Sequence, residues 1–159
     1  MDKNINDDKK YMEFAFSEAK KALAKKEVPI GAIIIKDNKI IGRGHNLKEK
    51  REDPTAHAEI VAIKDAASNL NSWRLDNCEI FVTLEPCPMC VGAMLQARIK
   101  RLVFAAYDPK GGAAGSLYNL ADDHRFNHSI EIKGGVMEKK SSDMLKNFFK
   151  SLRNGNSKK

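Results

Sequence analysis

The sequence lacks the long apolar segments of membrane proteins and the cysteines of disulfide-rich secreted proteins. Its longest apolar run, residues 30–35, is far too short to cross a bilayer, and the mean hydropathy is −0.48. Three cysteines in 159 residues provide no disulfide framework, which suits a reducing cytoplasm. Residues 1–10 are polar and of mixed charge, so they lack the apolar core of a signal peptide. We therefore expect a cytoplasmic protein that does not enter the membrane.

The length and composition of the chain fit one folded domain. The hydrophobic content of 42% is ordinary, and no internal repeat or long linker divides the sequence. We predict a single domain over residues 1–159, with flexible tails at about 1–8 and 154–159. The formal net charge of +7 and the pI near 9.3 favour a polyanionic partner such as a nucleic acid.

A small group of residues carries the strongest chemical signal. His57 is followed two positions later by Glu59, and about thirty residues on come Cys87 and Cys90. One imidazole and two thiolates are ligands that zinc prefers, and three such ligands leave the fourth tetrahedral position open to water. A carboxylate beside that water can transfer its protons. The pattern therefore predicts one catalytic Zn²⁺ with a bound water, and hydrolytic chemistry.

The spacing also predicts how the ligands are presented. Residues 53–55 look like a helix start, which would place His57 and Glu59 in the first helical turn. Cys87 and Cys90 are three positions apart, hence on one face of a second helix that starts directly after Cys87. Two helix N-termini would then point at one ion, and their dipoles favour the thiolate form.

Less specific interpretations of these residues exist. A Cys-x-x-Cys pair is also the disulfide-exchange motif of redox proteins, although the His and Glu upstream weigh against that role. A structural zinc site would need a fourth protein ligand. Cys78 is better explained as a buried thiol at the start of a strand, since it opens a β-type run. The candidates for a fourth ligand are Cys78, His45, His124 and His128.

Periodicity gives an alternating order of strands and helices. The predicted strands are 30–35 and 39–44, which form a hairpin, followed by 78–83, 102–105 and 130–133. The predicted helices are 12–23, one after residue 54, one after Cys87, a short one near 116–121, and 139–153. This order indicates an α/β fold, with a mixed five-stranded sheet in a three-layer α/β/α arrangement.

The chain resembles a known family at several motifs. His-x-Glu with Pro-Cys-x-x-Cys is the zinc signature of the cytidine deaminase superfamily. Beyond that signature, the chain is similar to the bacterial tRNA-specific adenosine deaminase family over nearly its full length. The matching stretches are 27–32, 44–46, 54–59, 83–87, 108–112, 115–117 and 126–128.

The resemblance implies a fold, a reaction and partners. The fold would be cytidine deaminase-like, and the reaction would convert the wobble adenosine of a tRNA anticodon stem-loop to inosine. Glu59 would move protons between the attacking water, N1 of adenine and the departing ammonia, and the backbone N–H of Cys87 would stabilise the oxygen developing at C6. The family also implies a homodimer, and no organic cofactor is expected.

The resemblance places further residues around the substrate. Asn46 would hydrogen-bond the purine, although Asn after a strand also suits a turn. Val28 and Pro29 would form an apolar wall, or else belong to a buried strand edge. Asp108 and Lys110 would bring a loop close to the RNA, with Asp108 near a ribose hydroxyl, but the same residues suit an ordinary tight turn.

The predicted last helix offers a second region for RNA contact. Phe149 lies among lysines and an arginine there and could stack on a base, while Phe148 is expected in the core.

Two rival functions remain open. One is a deaminase of a small free base or nucleoside, and the other is a zinc-stabilised RNA-binding module without catalysis.

Overall fold

The computed structural model describes residues 5–156, which form four helices and five strands. In chain order the elements are α1 (Ile5–Ala24), β1 (Gly31–Lys36), β2 (Lys39–His45), α2 (Ala58–Leu70), β3 (Glu79–Leu84), α3 (Pro88–Ala97), β4 (Arg101–Ala106), β5 (Glu131–Lys133) and α4 (Glu138–Asn156). Within this part of the chain no helix combines the length and apolar character required to cross a membrane.

The five strands form one mixed sheet in the order β2-β1-β3-β4-β5. β1 pairs antiparallel with β2 and with β3, whereas β3–β4 and β4–β5 are parallel. Asp37 and Asn38 connect β1 to β2 with φ values of 50° and 62°, the left-handed conformation of a tight hairpin turn. The hairpin predicted from residues 30–35 and 39–44 is therefore confirmed.

Side chains alternate between the two faces of the sheet and build two cores. Ile34, Ile80 and Leu102 pack on one face with buried residues of α2 and α3. Ile33 and Phe81, their neighbours along the strands, pack on the other face with α1 and the start of α4. The three-layer α/β/α architecture with a mixed five-stranded sheet is thus confirmed.

Two glycines of β2 allow α2 to lie directly against the sheet. An added Cβ would lie 2.6 Å from the carbonyl oxygen of Ala62 at Gly42, and 2.4 Å from that of Ala58 at Gly44. No other residue type fits at these distances. Because Ala58 opens α2, this close approach fixes how near the start of α2 comes to the sheet.

A cluster of buried charges lies at the amino ends of the parallel strands. Arg101 donates two hydrogen bonds to Asp8, at 2.8 and 2.9 Å, and lies 3.4 Å from Glu79. Lys133 lies 3.2 Å from the same Asp8 carboxylate, which is 0% exposed. These contacts attach α1 to β3, β4 and β5 at the edge of the sheet opposite the predicted site.

Two local predictions differ from the structure. Residues 116–121, all of them described, form turns and an isolated bridge between Ala114 and Asn119, so the short helix predicted there is wrong. Flexible tails were predicted at about 1–8 and 154–159, but residues 5–8 belong to α1 and residues 154–156 to α4. The remaining residues of both tails, 1–4 and 157–159, lie outside the described part of the chain.

Candidate metal centre and substrate pocket

His57 is the N-cap of α2 rather than a residue of its first turn. The predicted start at residues 53–55 is wrong, because the Asp53 carboxylate instead accepts hydrogen bonds from the backbone N–H and hydroxyl of Thr55, at 2.8 and 2.7 Å. That local turn delays the helix until Ala58. The imidazole of His57 consequently projects beyond the helix end.

Cys87 and Cys90 occupy the start of α3 as predicted. Cys87 is the N-cap, Pro88 follows it, and Cys90 is fully buried within the first turn. Nδ1 of His57 lies 3.7 Å from Sγ of Cys87 and 3.5 Å from Sγ of Cys90. The N-terminal ends of α2 and α3 therefore bring three potential ligand atoms together.

These three residues fit a tetrahedral zinc ion. Ligands at typical Zn–N and Zn–S bond lengths are separated by about 3.6 Å around a tetrahedron, which matches both observed N···S distances. Among the described residues, the His, Cys and acidic side chains close enough to hold one ion are His57, Cys87 and Cys90. Cys78 is separate from them: its buried thiol contacts the carbonyl oxygen of Asp76. The group can therefore hold a metal with a coordination position left for a non-protein ligand.

The two thiols are electrostatically unequal. The hydrogen bond from Cys90 and the nearby imidazole lower the pKa of Cys87 to about 4. The hydrogen bond with Cys87, burial and the Glu59 carboxylate raise the pKa of Cys90 above its ordinary value. These shifts favour the thiolate at Cys87 and the protonated thiol at Cys90. A divalent cation among these sulfur atoms would replace the Cys90 proton, since zinc binds cysteine as thiolate.

Glu59 lies in the first turn of α2, beside these three potential ligands. It is 4% exposed, and burial raises the pKa of its carboxyl group, an effect that the neighbouring His57 partly offsets. A carboxylate whose pKa is raised above its ordinary value is a stronger base than an exposed carboxylate. Its place and its electrostatics therefore suit proton transfer beside a metal.

One cavity of about 210 Å³ opens onto this group. It lies at the end of the sheet where β2, β3 and β4 finish and where the antiparallel β1 begins. The segment before β1 and the segments after β2, β3 and β4 meet there. The lining residues are Val28, Ile30, Asn46, Lys48, His57, Ala58, Glu59, Leu84, Glu85, Cys87 and Asp108. Of the residues predicted from sequence, Val28, Asn46 and Asp108 join Glu59 and the ligands His57 and Cys87 here.

Asn46 is held firmly in the cavity wall. It is 8% exposed, its side-chain nitrogen donates to the carbonyl oxygen of Val28 at 3.4 Å, and its side-chain oxygen accepts from the backbone N–H of Lys48 at 3.1 Å. The amide retains one N–H and one lone pair for a ligand. Asn46 is therefore both a structural link and a possible contact for a base.

Three predicted substrate residues lie outside the cavity lining. Pro29 is buried behind it, and Lys110 is exposed in the turn that follows Asp108. Phe149 is 43% exposed on α4 and lines a separate shallow depression with Tyr107, Lys146 and Arg153. Phe148, by contrast, is buried as expected.

Several lining residues were not predicted from sequence. Ile30 and Leu84 add apolar surface, and Lys48 adds a cation. Glu85 is 2% exposed and adds a second buried carboxylate. Burial opposes ionisation of Glu85, but its hydrogen bonds to Ser116 and to nearby amides outweigh that effect and lower its pKa. Only its position two residues before Cys87 in the motif could have drawn attention to Glu85.

Comparison with known proteins identifies the family. A Bacillus subtilis protein named tRNA-specific adenosine deaminase is 48% identical over 149 residues, covering 94% of this chain and 92% of the relative. The chain belongs to the tRNA-specific adenosine deaminase family. A solved structure from a study of A-to-I editing by tRNA:A34 deaminases is 41% identical with a TM-score of 0.82, covering 85% of this chain and 98% of that one.

Wider similarities extend across related deaminases. Residues 6–153 match the model of the MafB19-like deaminase family. A guanine deaminase structure from Bacillus subtilis is 40% identical with a TM-score of 0.60, over 62% of this chain and 63% of that chain. The guanine deaminase match covers less of both chains than the matches to tRNA-specific relatives. The fold is thus common to deaminases that act on different substrates.

Proposed function

We propose that this protein is a zinc-dependent enzyme that hydrolyses the wobble adenosine of a tRNA anticodon to inosine. The observation that carries the proposal is the buried Glu59 directly beside the group of His57, Cys87 and Cys90, in a chain of the tRNA-specific adenosine deaminase family. A non-catalytic zinc module would have no use for a buried carboxylate at that position.

The chemistry divides between the ion and the protein. Bound by His57, Cys87 and Cys90, one zinc ion per chain would supply Lewis-acid activation of a water molecule. Glu59 accepts a proton from the attacking water, delivers it to N1 of adenine, and carries a second proton to the departing ammonia. The raised pKa of Glu59 allows it to serve as base and then as acid. The backbone N–H of Cys87, at the start of α3, donates toward the oxygen at C6.

The cavity wall would hold the base and its flanking nucleotides. Asn46 binds the purine through its remaining amide positions, and Val28 gives the base an apolar contact. Asp108 at the mouth meets a ribose hydroxyl, with Lys110 on the exposed side of the same loop. A base in a single-stranded anticodon loop reaches such a cavity at low cost, because it is already unpaired.

The direct test offers the protein three substrates separately: an anticodon stem-loop with a wobble adenosine, free adenosine and free guanine. We expect inosine in the stem-loop and little turnover of either small substrate. Guanine is included because of the structural similarity to guanine deaminase. Turnover of guanine with an unchanged stem-loop would refute the tRNA assignment and favour the small-substrate alternative.

The metal assignment has its own test. His57→Ala removes the only nitrogen ligand of the group, so we expect the zinc content per chain to fall from about one toward zero. Asp53→Ala is a matched control, since the Asp53 side chain bonds Thr55 in the turn before α2 and belongs neither to the group of potential ligands nor to the cavity lining. Full zinc occupancy in His57→Ala would contradict the ligand assignment.

The proposal includes a homodimer, as the family resemblance implies. Leu117 and Tyr118 are 53% and 61% exposed, and Phe126 in the same segment is 49% exposed. Large apolar side chains that remain exposed along one segment suit burial against a second copy. Analytical ultracentrifugation would show a dimer, and a monomer at micromolar concentration would contradict this part of the proposal.

A further inference from the structure

Glu85 is a buried carboxylate that the chemistry above does not use. It follows the last residue of β3, is 2% exposed, and forms part of the cavity wall beside His57 and Glu59. A carboxylate removed from water is stable only if several donors satisfy its oxygens. The origin of those donors indicates what Glu85 does.

All four observed donors to Glu85 come from the loop 108–116 that follows β4. The backbone N–H of Asp108 and the hydroxyl of Ser116 donate to Oε1, the former at 2.9 Å. The backbone N–H groups of Ala114 and Ser116 donate to Oε2 at 3.1 and 3.0 Å. The two ends of the loop are therefore fastened to one carboxylate.

The middle of the loop also lies against the Glu85 carboxylate. An added Cβ at Gly112 would lie 2.3 Å from Oε2 of Glu85, so any larger residue there would displace the carboxylate from its present position. The backbone N–H of Ala113 donates to the carbonyl oxygen of Pro86 at 2.9 Å, which joins the loop to the residue before the ligand Cys87. The loop thus wraps around Glu85 rather than merely touching it.

We propose that Glu85 is a positioning residue, whose carboxylate holds the loop 108–116 in place so that Asp108 completes the cavity wall where RNA beside the reacting base would bind. Glu85 therefore acts on the substrate indirectly, through the position of the loop. The nature of the ligand rests on the proposed function, whereas the attachment of the loop does not.

Glu85→Gln tests this role with a side chain of the same shape. At the Oε2 position its amide nitrogen would face two backbone N–H donors. At the Oε1 position it would face the N–H of Asp108 and the Ser116 hydroxyl, which can turn to accept, so at least one backbone bond fails in either orientation. We expect amide hydrogen exchange over 108–116 to become about tenfold faster or more, with unchanged zinc content. We also expect KM for the anticodon stem-loop to rise about 100-fold while kcat changes little, because the loop is displaced and the proton-transfer group is intact.

Ser116→Ala is a milder second variant that removes one of the four donors. Ser116 does not line the cavity, so its effect must pass through Glu85. We expect KM to rise about tenfold in Ser116→Ala. In the double variant with Glu85→Gln, KM should rise by less than the product of the two single effects, because both changes break the same hydrogen-bond network. Asp8→Asn controls for a general loss of stability and should leave exchange in the loop and KM unchanged.

Two results would overturn the proposal: unchanged exchange and KM in Glu85→Gln, or a fall in kcat with KM unchanged. The second would place Glu85 among the groups that act on the reacting atoms. Wild-type protein that forms no inosine would instead refute the proposed function, and the exchange measurement would still decide whether Glu85 holds the loop.

Discussion

Asp8, at the amino edge of the sheet, and Glu59, at the carboxyl edge, are both carboxylates that the fold removes from water. Burial acts against the charge of each. At Asp8, bonds from Arg101 and Lys133 outweigh burial and hold the pKa below its ordinary value. At Glu59, burial dominates and the pKa is raised.

The contrast separates a structural charge from a chemical one. A carboxylate paired with two cations stays ionised and connects the elements that supply those cations. A carboxylate whose pKa is raised by burial binds a proton more readily than an exposed one, which suits proton transfer. The ion pairs of Asp8, at the amino ends of the parallel strands, thus stabilise the fold. Glu59, at the carboxyl ends of the same strands, belongs to the reaction site.

The largest expected effect comes from removing the proton-transfer group. Glu59→Gln keeps the shape of the side chain but cannot carry a proton, so we expect inosine formation to slow by about 10²–10⁴-fold. Single-turnover assays on an anticodon stem-loop measure this rate. Zinc content and RNA binding should be retained, because Glu59 is not a ligand. Undiminished turnover would contradict its role.

Asp8→Asn should produce the opposite result, with activity kept and stability lost. The substitution leaves the buried Arg101 without its closest carboxylate, with Glu79 and Glu131 remaining at 3.4 and 4.0 Å. Breaking such a buried pair costs about 3–5 kcal/mol. Denaturant unfolding measures the change, and kcat should match the wild type wherever the variant is folded. Glu13→Gln is the matched control, since the Glu13–Lys140 pair is largely exposed and should contribute little. Equal stability of all three proteins would refute the contrast.

Lowering the pH should weaken the ion pairs of Asp8 with Arg101 and Lys133 in the wild-type protein. Because the pKa of Asp8 is lower in the folded state than in the unfolded chain, the unfolded chain binds more protons as pH falls. The stabilisation is therefore fully present above the ordinary value of 3.8 and is lost as pH drops through the lowered folded pKa. Unfolding free energies measured between about pH 5 and pH 2 should fall more steeply for the wild type than for Asp8→Asn. Parallel slopes would exclude Asp8 as the cause.

The parts of the site that sequence predicts are those that depend on local geometry. Cys87 and Cys90 were placed correctly because their spacing fixes one helix face, and Pro88 marks the start of that helix. The start of α2 was misplaced because the side chain of Asp53 competes with the helix for backbone N–H groups of its own turn. The helix-start pattern at residues 53–55 and the hydrogen bonds from Thr55 to Asp53 are both local features. The second of them determines where α2 begins.

The parts that sequence missed depend on contacts between distant segments. In residues 116–121, which do not form a helix, the backbone N–H of Ser116 donates to Glu85, 31 residues earlier, and those of Leu117 and Leu120 donate to Gly112 and Ala113. Nothing in the local pattern of either segment indicates the bond between Ser116 and Glu85. The ion pair between Asp8 and Arg101 spans 93 residues and was equally hidden. The layered sheet could be predicted because strand and helix periodicity is repeated along the chain.

The smallest expected effect concerns the exposed cation beside the cavity. Lys110 follows Asp108 by two positions and is exposed, so its ammonium group is free to meet an RNA phosphate. Lys110→Ala should weaken stem-loop binding modestly and make the log–log dependence of affinity on salt shallower by about 0.7. Lys100→Ala removes the same charge near the opposite edge of the sheet, directly before β4, and should leave that slope unaltered. Equal slopes for both variants and the wild type would show that Lys110 does not contact the backbone, so RNA would approach from another side of the cavity.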